Sequence, residues 1–128
     1  MAEIKRLTKP VPEKGVMLFE GPRPQLEMQL TGRFNTFRHG TKWIVDARVG
    51  DVIDLRGPKG EDYGRGVVTE LLCGVLENLL SDDTLVEDNH ANFEEADELR
   101  SALLGVYGKE AVRRGETYTV VYLVRVND

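Results

Sequence analysis

Lys42 lies in a segment, residues 31–51, where cations, aromatics and glycines interleave: Arg33, Phe34, Asn35, Phe37, Arg38, His39, Gly40, Thr41, Lys42, Trp43 and Arg48. From Arg33 to Arg48 four cations stand against one carboxylate, Asp46, although the whole chain carries a net charge of -5. A local cationic excess is what a phosphate-bearing partner seeks. An ammonium group has no lone pair, so Lys42 becomes a nucleophile only where burial or a neighbouring cation, here Arg38 or His39, lowers its pKa; otherwise it is a solvated turn lysine. The planar guanidinium groups of Arg33 and Arg38 suit bidentate phosphate recognition, and their bland alternative is an ion pair with an acidic neighbour. Trp43 either stacks a base or packs into the core. Asn35, His39, Thr41 and Arg48 complete the candidate binding set.

Other chemistries find no pattern here. His39 and His90 are the only histidines and have no cysteine near them, and the acidic residues lack the spacing of a calcium loop, so neither metal nor cofactor is expected. No Ser-His-Asp order, phosphate-binding glycine loop or dinucleotide fingerprint occurs. The one cysteine, Cys73, sits in the apolar run Val67-Val-Thr-Glu-Leu-Leu-Cys73 and reads as a small core side chain. A net charge of -5 argues against indiscriminate coating of nucleic acid, which draws on many unopposed cations, but permits a narrow shaped site. The longest apolar run, Val120 to Val124, is too short to span a bilayer, and with no apolar leader a cytoplasmic protein without a membrane partner is expected.

The elements that must hold these residues are short. At 128 residues the chain fits one domain. Residues 1–24 form a proline-rich arm, with Pro10, Pro12, Pro22 and Pro24, in which only Val16 to Phe19 could pair as an edge strand; residues 25–128 form the domain proper. Alternation in Gln25 to Leu30 predicts a strand carrying Leu26, Met28 and Leu30 on one face. Phe34 to His39 reads as a short helical turn ended by Gly40, with Phe34 and Phe37 in the core beneath it. Strands are expected near 51–55 and 65–73, joined by the glycine-containing loop Arg56 to Asp62, and most strongly at 117–126. Nine acidic residues between Glu77 and Glu98, with no Lys or Arg among them, read as a solvated face. Within it Asn92 and Glu95 have the spacing of a capping box, followed by helical periodicity from Phe93 to Tyr107 that Gly108 ends. The fold class is α+β: a small, curved, mostly antiparallel sheet curling towards a barrel, with the 93–107 helix covering it.

Gly40-Thr-Lys-Trp43, Val49-Gly-Asp-Val-Ile-Asp-Leu55, Gly64-Arg-Gly-Val-Val-Thr-Glu70, Glu87-Asp-Asn-His90 and Tyr118-Thr-Val-Val-Tyr122 resemble, in that order, the ASCH domain, especially its short phage and bacterial members. The resemblance implies a barrel similar to the PUA RNA-binding domain, and a host cytoplasm if the chain is phage-encoded. It also implies a cleft for RNA or nucleotide-like ligands, since some members are amidohydrolases on N4-acylated cytidine and others ribonucleases. In the amidohydrolase signature the lysine is nucleophile or base, which falls on Lys42, and the acidic partner falls on Asp88. Val45 and Ala47 occupy the family's Thr/Glu and Arg positions, with the nearest arginine at Arg48, so weak or absent turnover is expected. Three functions follow: an RNA- or nucleotide-binding module, which is favoured; a hydrolase on the same cleft; and a protein-interaction factor using the acidic face. Under the first, Arg33, Arg38 and Lys42 should converge on one concavity.

Overall fold

The computed structural model describes residues 15–20, 26–27 and 29–126. Five strands form one sheet in the order β1-β3-β4-β5-β2, where β1 is Val16–Leu18, β2 is Arg33–His39, β3 is Val52–Arg56, β4 is Asp62–Val75 and β5 is Thr117–Val126. Strand β1 runs parallel to β3 and every other pairing is antiparallel. The sheet curls into a half-barrel, giving an α+β fold. Among the described residues it is completed by helices α1 (Lys42–Asp46), α2 (Leu76–Leu80), α3 (Asp83–Glu87) and α4 (Ala96–Tyr107) and a 3-10 turn at Lys109–Val112. Among the described residues no helix is long and apolar enough to cross a membrane.

The β-branched and aromatic run at 117–126 becomes the strand hydrogen-bonded on both sides, to β4 and β2, and Tyr118 to Leu123 are buried. Because side chains alternate along a strand, β5 feeds two cores. Val121 and Leu123 join Met17, Phe19, Phe34, Ile53 and Leu55 on one face, while Tyr118, Val120 and Tyr122 join Phe37, Leu79 and Leu99 on the other. Helix α4 covers this second face with Leu99 and Leu103 and stops at Gly108, whose φ of 93° is a left-handed conformation that favours glycine. Val16–Leu18 is an edge strand, and Met17 is fully buried, so this piece of the arm is part of the sheet; the rest of the arm is largely outside the described residues.

Four local expectations are corrected. The strand expected over 25–30 is helical where it is described: Leu26, Glu27 and Gln29 are helical, the Leu30 N–H donates to the Leu26 carbonyl at 2.9 Å, and Gln25 lies outside the described residues. Leu26 and Leu30 lie four apart, a spacing that brings apolar residues together in a helix and a strand alike; Met28 lies outside the described residues. Phe34–His39 is a strand rather than a helical turn, and it sends Phe34 to one core and Phe37 to the other. A strand buried on both faces loses the alternation that would reveal it. The capping box is one turn later than Asn92 and Glu95: Glu95 is the N-cap and Glu98 the reciprocal partner, while Asn92 takes a φ of 54°. Cys73 is exposed, because β4 continues to Val75 and its alternation turns Leu72 inward and Cys73 out. The acidic run is solvated as expected, with Asp88 the half-buried exception, but it also contains α2 and α3, whose Leu76, Leu79, Leu80, Leu85 and Val86 are buried.

Candidate functional site

Strand β2 organises the polar residues, and its parity decides which of them meet. The Arg125 N–H donates to the Gly32 carbonyl and the Gly40 N–H to the Thr117 carbonyl, so even-numbered main-chain groups face β5. Odd-numbered ones face the open edge of the sheet. There the Asn35 N–H donates to the Asp88 carbonyl at 2.9 Å, and the His90 N–H to the Asn35 carbonyl at 3.0 Å. The fully buried Asn35 side chain adds a bond to the Leu85 carbonyl at 2.9 Å and accepts a longer one from Asn89 at 3.5 Å. Asn35 therefore pins the 85–90 segment to the strand. Asn35→Ala should lower stability by about 1.5 kcal/mol, since it strands a buried carbonyl, and a shifted urea midpoint at unchanged m-value would report it.

Arg33 and Arg38 are five residues apart on this strand and so project from opposite faces; they do not converge. The Arg33 guanidinium stacks 4.2 Å from the centre of the Tyr122 ring and pairs with Glu70 and Asp88 at 3.6 and 3.7 Å. The Tyr122 hydroxyl donates to Asp88 Oδ2 at 2.7 Å, and burial pushes its pKa up to about 12. Arg33 thus has two carboxylate partners of its own, as in the ion-pair alternative. His39 contacts Glu116 at 2.9 Å and packs beside Tyr107 and Tyr118.

Lys42 and Thr41 are exposed at the start of α1, and Arg48 is exposed beyond its end. Trp43 packs against the core that contains Phe34 and Val121, the core alternative rather than a free stacking platform. Helix α1 thereby lies on one face of the sheet, whereas the Asp88 carboxylate bonds Tyr122 on the other. The pair that the resemblance would make catalytic is not brought together.

Arg38 alone of the expected cations lines a deep concavity of about 310 Å³, formed where the end of β1 approaches the open edge of β2. Leu18, Phe19 and Glu20 form one wall, Leu99, Leu103, Val106 and Tyr107 of α4 the other, and Gln29, Thr36–Arg38 and Asn89–Ala91 the floor between them. The Arg38 guanidinium sits 4.7 Å from the centre of the Phe19 ring. Its Nε is sealed from solvent and has no hydrogen-bond partner, and burial lowers the guanidinium pKa. His90 stands edge-on to Phe19, with ring centres 5.1 Å apart, and its Nδ1 lies 3.0 Å from Gln29 Oε1. An amide oxygen only accepts, so Nδ1 carries the proton and Nε2 is left as an acceptor. Burial, helped by the charge of Arg38, holds the His90 pKa down to about 4, so the ring is neutral at pH 7.

A second concavity of about 380 Å³ is lined by Arg125, Glu27 and Asp62, and the Arg125 Nε, like that of Arg38, is buried without a hydrogen-bond partner among the described residues. Among the described residues no cluster of three or more metal-ligating side chains occurs. Phe19, Gln29, Asn89, His90 and Tyr107 were not expected at a site; only the residue types of His90 and Tyr107 offered a signal, and nothing in their spacing joined them to Arg38. Comparison with family models, with curated proteins and with solved structures finds no match, so the cleft is read from its own geometry.

Proposed function

We propose that this protein is an ASCH-like, PUA-like cytoplasmic module that binds one nucleotide, free or within an RNA strand, in the cleft between β1 and the open edge of β2. The observation that carries this reading is the Arg38 guanidinium, held in the cleft with a buried Nε that has no partner. A buried donor left unpaired costs about 1–3 kcal/mol, a cost that an anionic ligand would remove. The surroundings suit the rest of a nucleotide: the apolar side of α4, with Val106 exposed, offers contact area, and Gln29, Asn89 and neutral His90 offer uncharged hydrogen-bonding groups. A volume of about 310 Å³ is near the lower end for ligand sites, which fits one nucleotide rather than a run of them.

The charge pattern points the same way. A protein that tracks a nucleic-acid backbone gathers many cations, whereas this cleft contains Arg38 and, at its wall, Glu20. Binding of a nucleoside monophosphate should therefore weaken only slightly with salt, with a log–log slope shallower than the roughly -0.7 of one phosphate contact in a single strand. Calorimetric titration between about 50 and 200 mM salt measures this directly. Absence of binding at millimolar nucleotide would overturn the reading, and a slope several times steeper would replace the cleft with an extended backbone track. Hydrolysis of acylated cytidine through Lys42 and Asp88 is not part of this reading, because among the described residues no ion pair or hydrogen bond joins the two and Asp88 is bonded to Tyr122.

A further inference from the structure

Resting on the nucleotide reading, we infer that the cleft recognises the base through the main chain of Phe37, whose N–H and C=O pair with a donor and acceptor on the base edge. Strand parity places both groups of Phe37 on the open side of β2, as it does those of Asn35. Those of Asn35 are taken by Asp88 and His90, but no bond to the Phe37 main chain occurs among the described residues. Phe37 lines the cleft, and its side chain packs in the core beside Tyr118.

In an antiparallel pair two opposed residues exchange both of their main-chain bonds, so an open position on an edge strand presents one donor and one acceptor side by side. A nucleobase offers the same complementary pair, as uracil does with N3–H and its neighbouring carbonyl. A peptide strand would need several consecutive open positions. Here the bridge at Asn35 closes one side, and His39, the next odd residue, is not in the cleft lining, so one position is open within the cleft. That suits a single heterocycle. Arg38, the next residue, is then placed to meet the phosphate while its neighbour reads the base.

The test uses the full chain, labelled with nitrogen-15, and uridine 5′-monophosphate as probe. The expected result is a downfield shift of the Phe37 amide proton with uridine monophosphate and none with ribose 5-phosphate, with roughly tenfold weaker binding of the N3-methyl analogue. An amide-to-ester exchange at Phe37 breaks no bond of the sheet, and it should weaken uridine monophosphate roughly tenfold while leaving ribose 5-phosphate unchanged. If the methylated nucleotide binds equally well and the Phe37 amide does not move, while Arg38→Ala still abolishes binding, base recognition by the main chain fails and the nucleotide reading stands. If neither nucleotide binds, both fail. An extended peptide that shifts the Phe37 amide where the nucleotide does not would also overturn it.

Discussion

Arg38→Met is expected to weaken nucleoside monophosphate binding at least thirtyfold, roughly the 2 kcal/mol of a lost charge-assisted contact, while leaving the protein as stable as before or more so. The two effects separate because the guanidinium is costly to hold where it is. Its Nε is sealed without a partner and burial lowers its pKa, which marks a cation taken out of water. Against that stands its place over the Phe19 ring, worth about 0.5–2 kcal/mol. Replacing a buried ion by an apolar side chain of similar length is often neutral or stabilising by about 1–4 kcal/mol. The melting temperature should therefore hold or rise by a few degrees, at roughly 4 °C per kcal/mol for a domain of this size. Arg38→Lys should keep the charge but lose the planar fork, and bind with intermediate affinity. A melting temperature more than about 5 °C below wild type for Arg38→Met would instead make Arg38 a structural residue and remove the main support for the cleft as a ligand site.

The same strand shows what could be read from residue order and what could not. Strand β5 declared itself because its residues are β-branched or aromatic over ten positions, and α4 because apolar residues recur at a helical period up to a glycine. The hairpin of β3 and β4 followed from the loop between them. Strand β2 was hidden because it feeds both cores, and that one error propagated to the site. Convergence of Arg33, Arg38 and Lys42 was expected from their excess over carboxylates in one short segment, with a helical turn assumed at 34–39. Pairing with β5 imposes a period of two instead, and parity sends Arg33 to Tyr122 and Asp88 while Arg38 goes to Phe19. The cleft itself is assembled from the end of β1, the 26–30 turn, β2, the 89–91 segment and α4. No local period could bring Gln29, Arg38, His90 and Tyr107 together, because the contacts arise from strand order rather than from sequence neighbourhood.

Between pH 7.5 and 5 the protein is expected to lose about 2 kcal/mol of stability through His90 alone. In the unfolded chain His90 takes up a proton near its ordinary pKa of 6.5, but in the folded protein burial and the charge of Arg38 hold that pKa down to about 4. The sign follows from proton uptake: below 6.5 the unfolded state binds a proton that the folded state refuses, so acid favours unfolding. The stabilisation is complete above about 6.5 and is lost progressively as the pH falls towards 4. The groups around the ring leave little means of accommodating its charge. Phe19 and Phe34 stand edge-on to it, Gln29 accepts from Nδ1, Arg38 repels it, and Glu20, the acid in the cleft lining, follows Phe19 in the chain. His90→Gln keeps a neutral hydrogen-bonding side chain in this place and removes the titration, so its stability should stay nearly flat over the same interval. His39 is common to both proteins and cancels in the comparison. Urea midpoints across this interval, taken for both proteins, measure the difference; parallel curves would show that His90 is protonated in the folded state, and the neutral acceptor assigned to its Nε2 in the cleft would not exist.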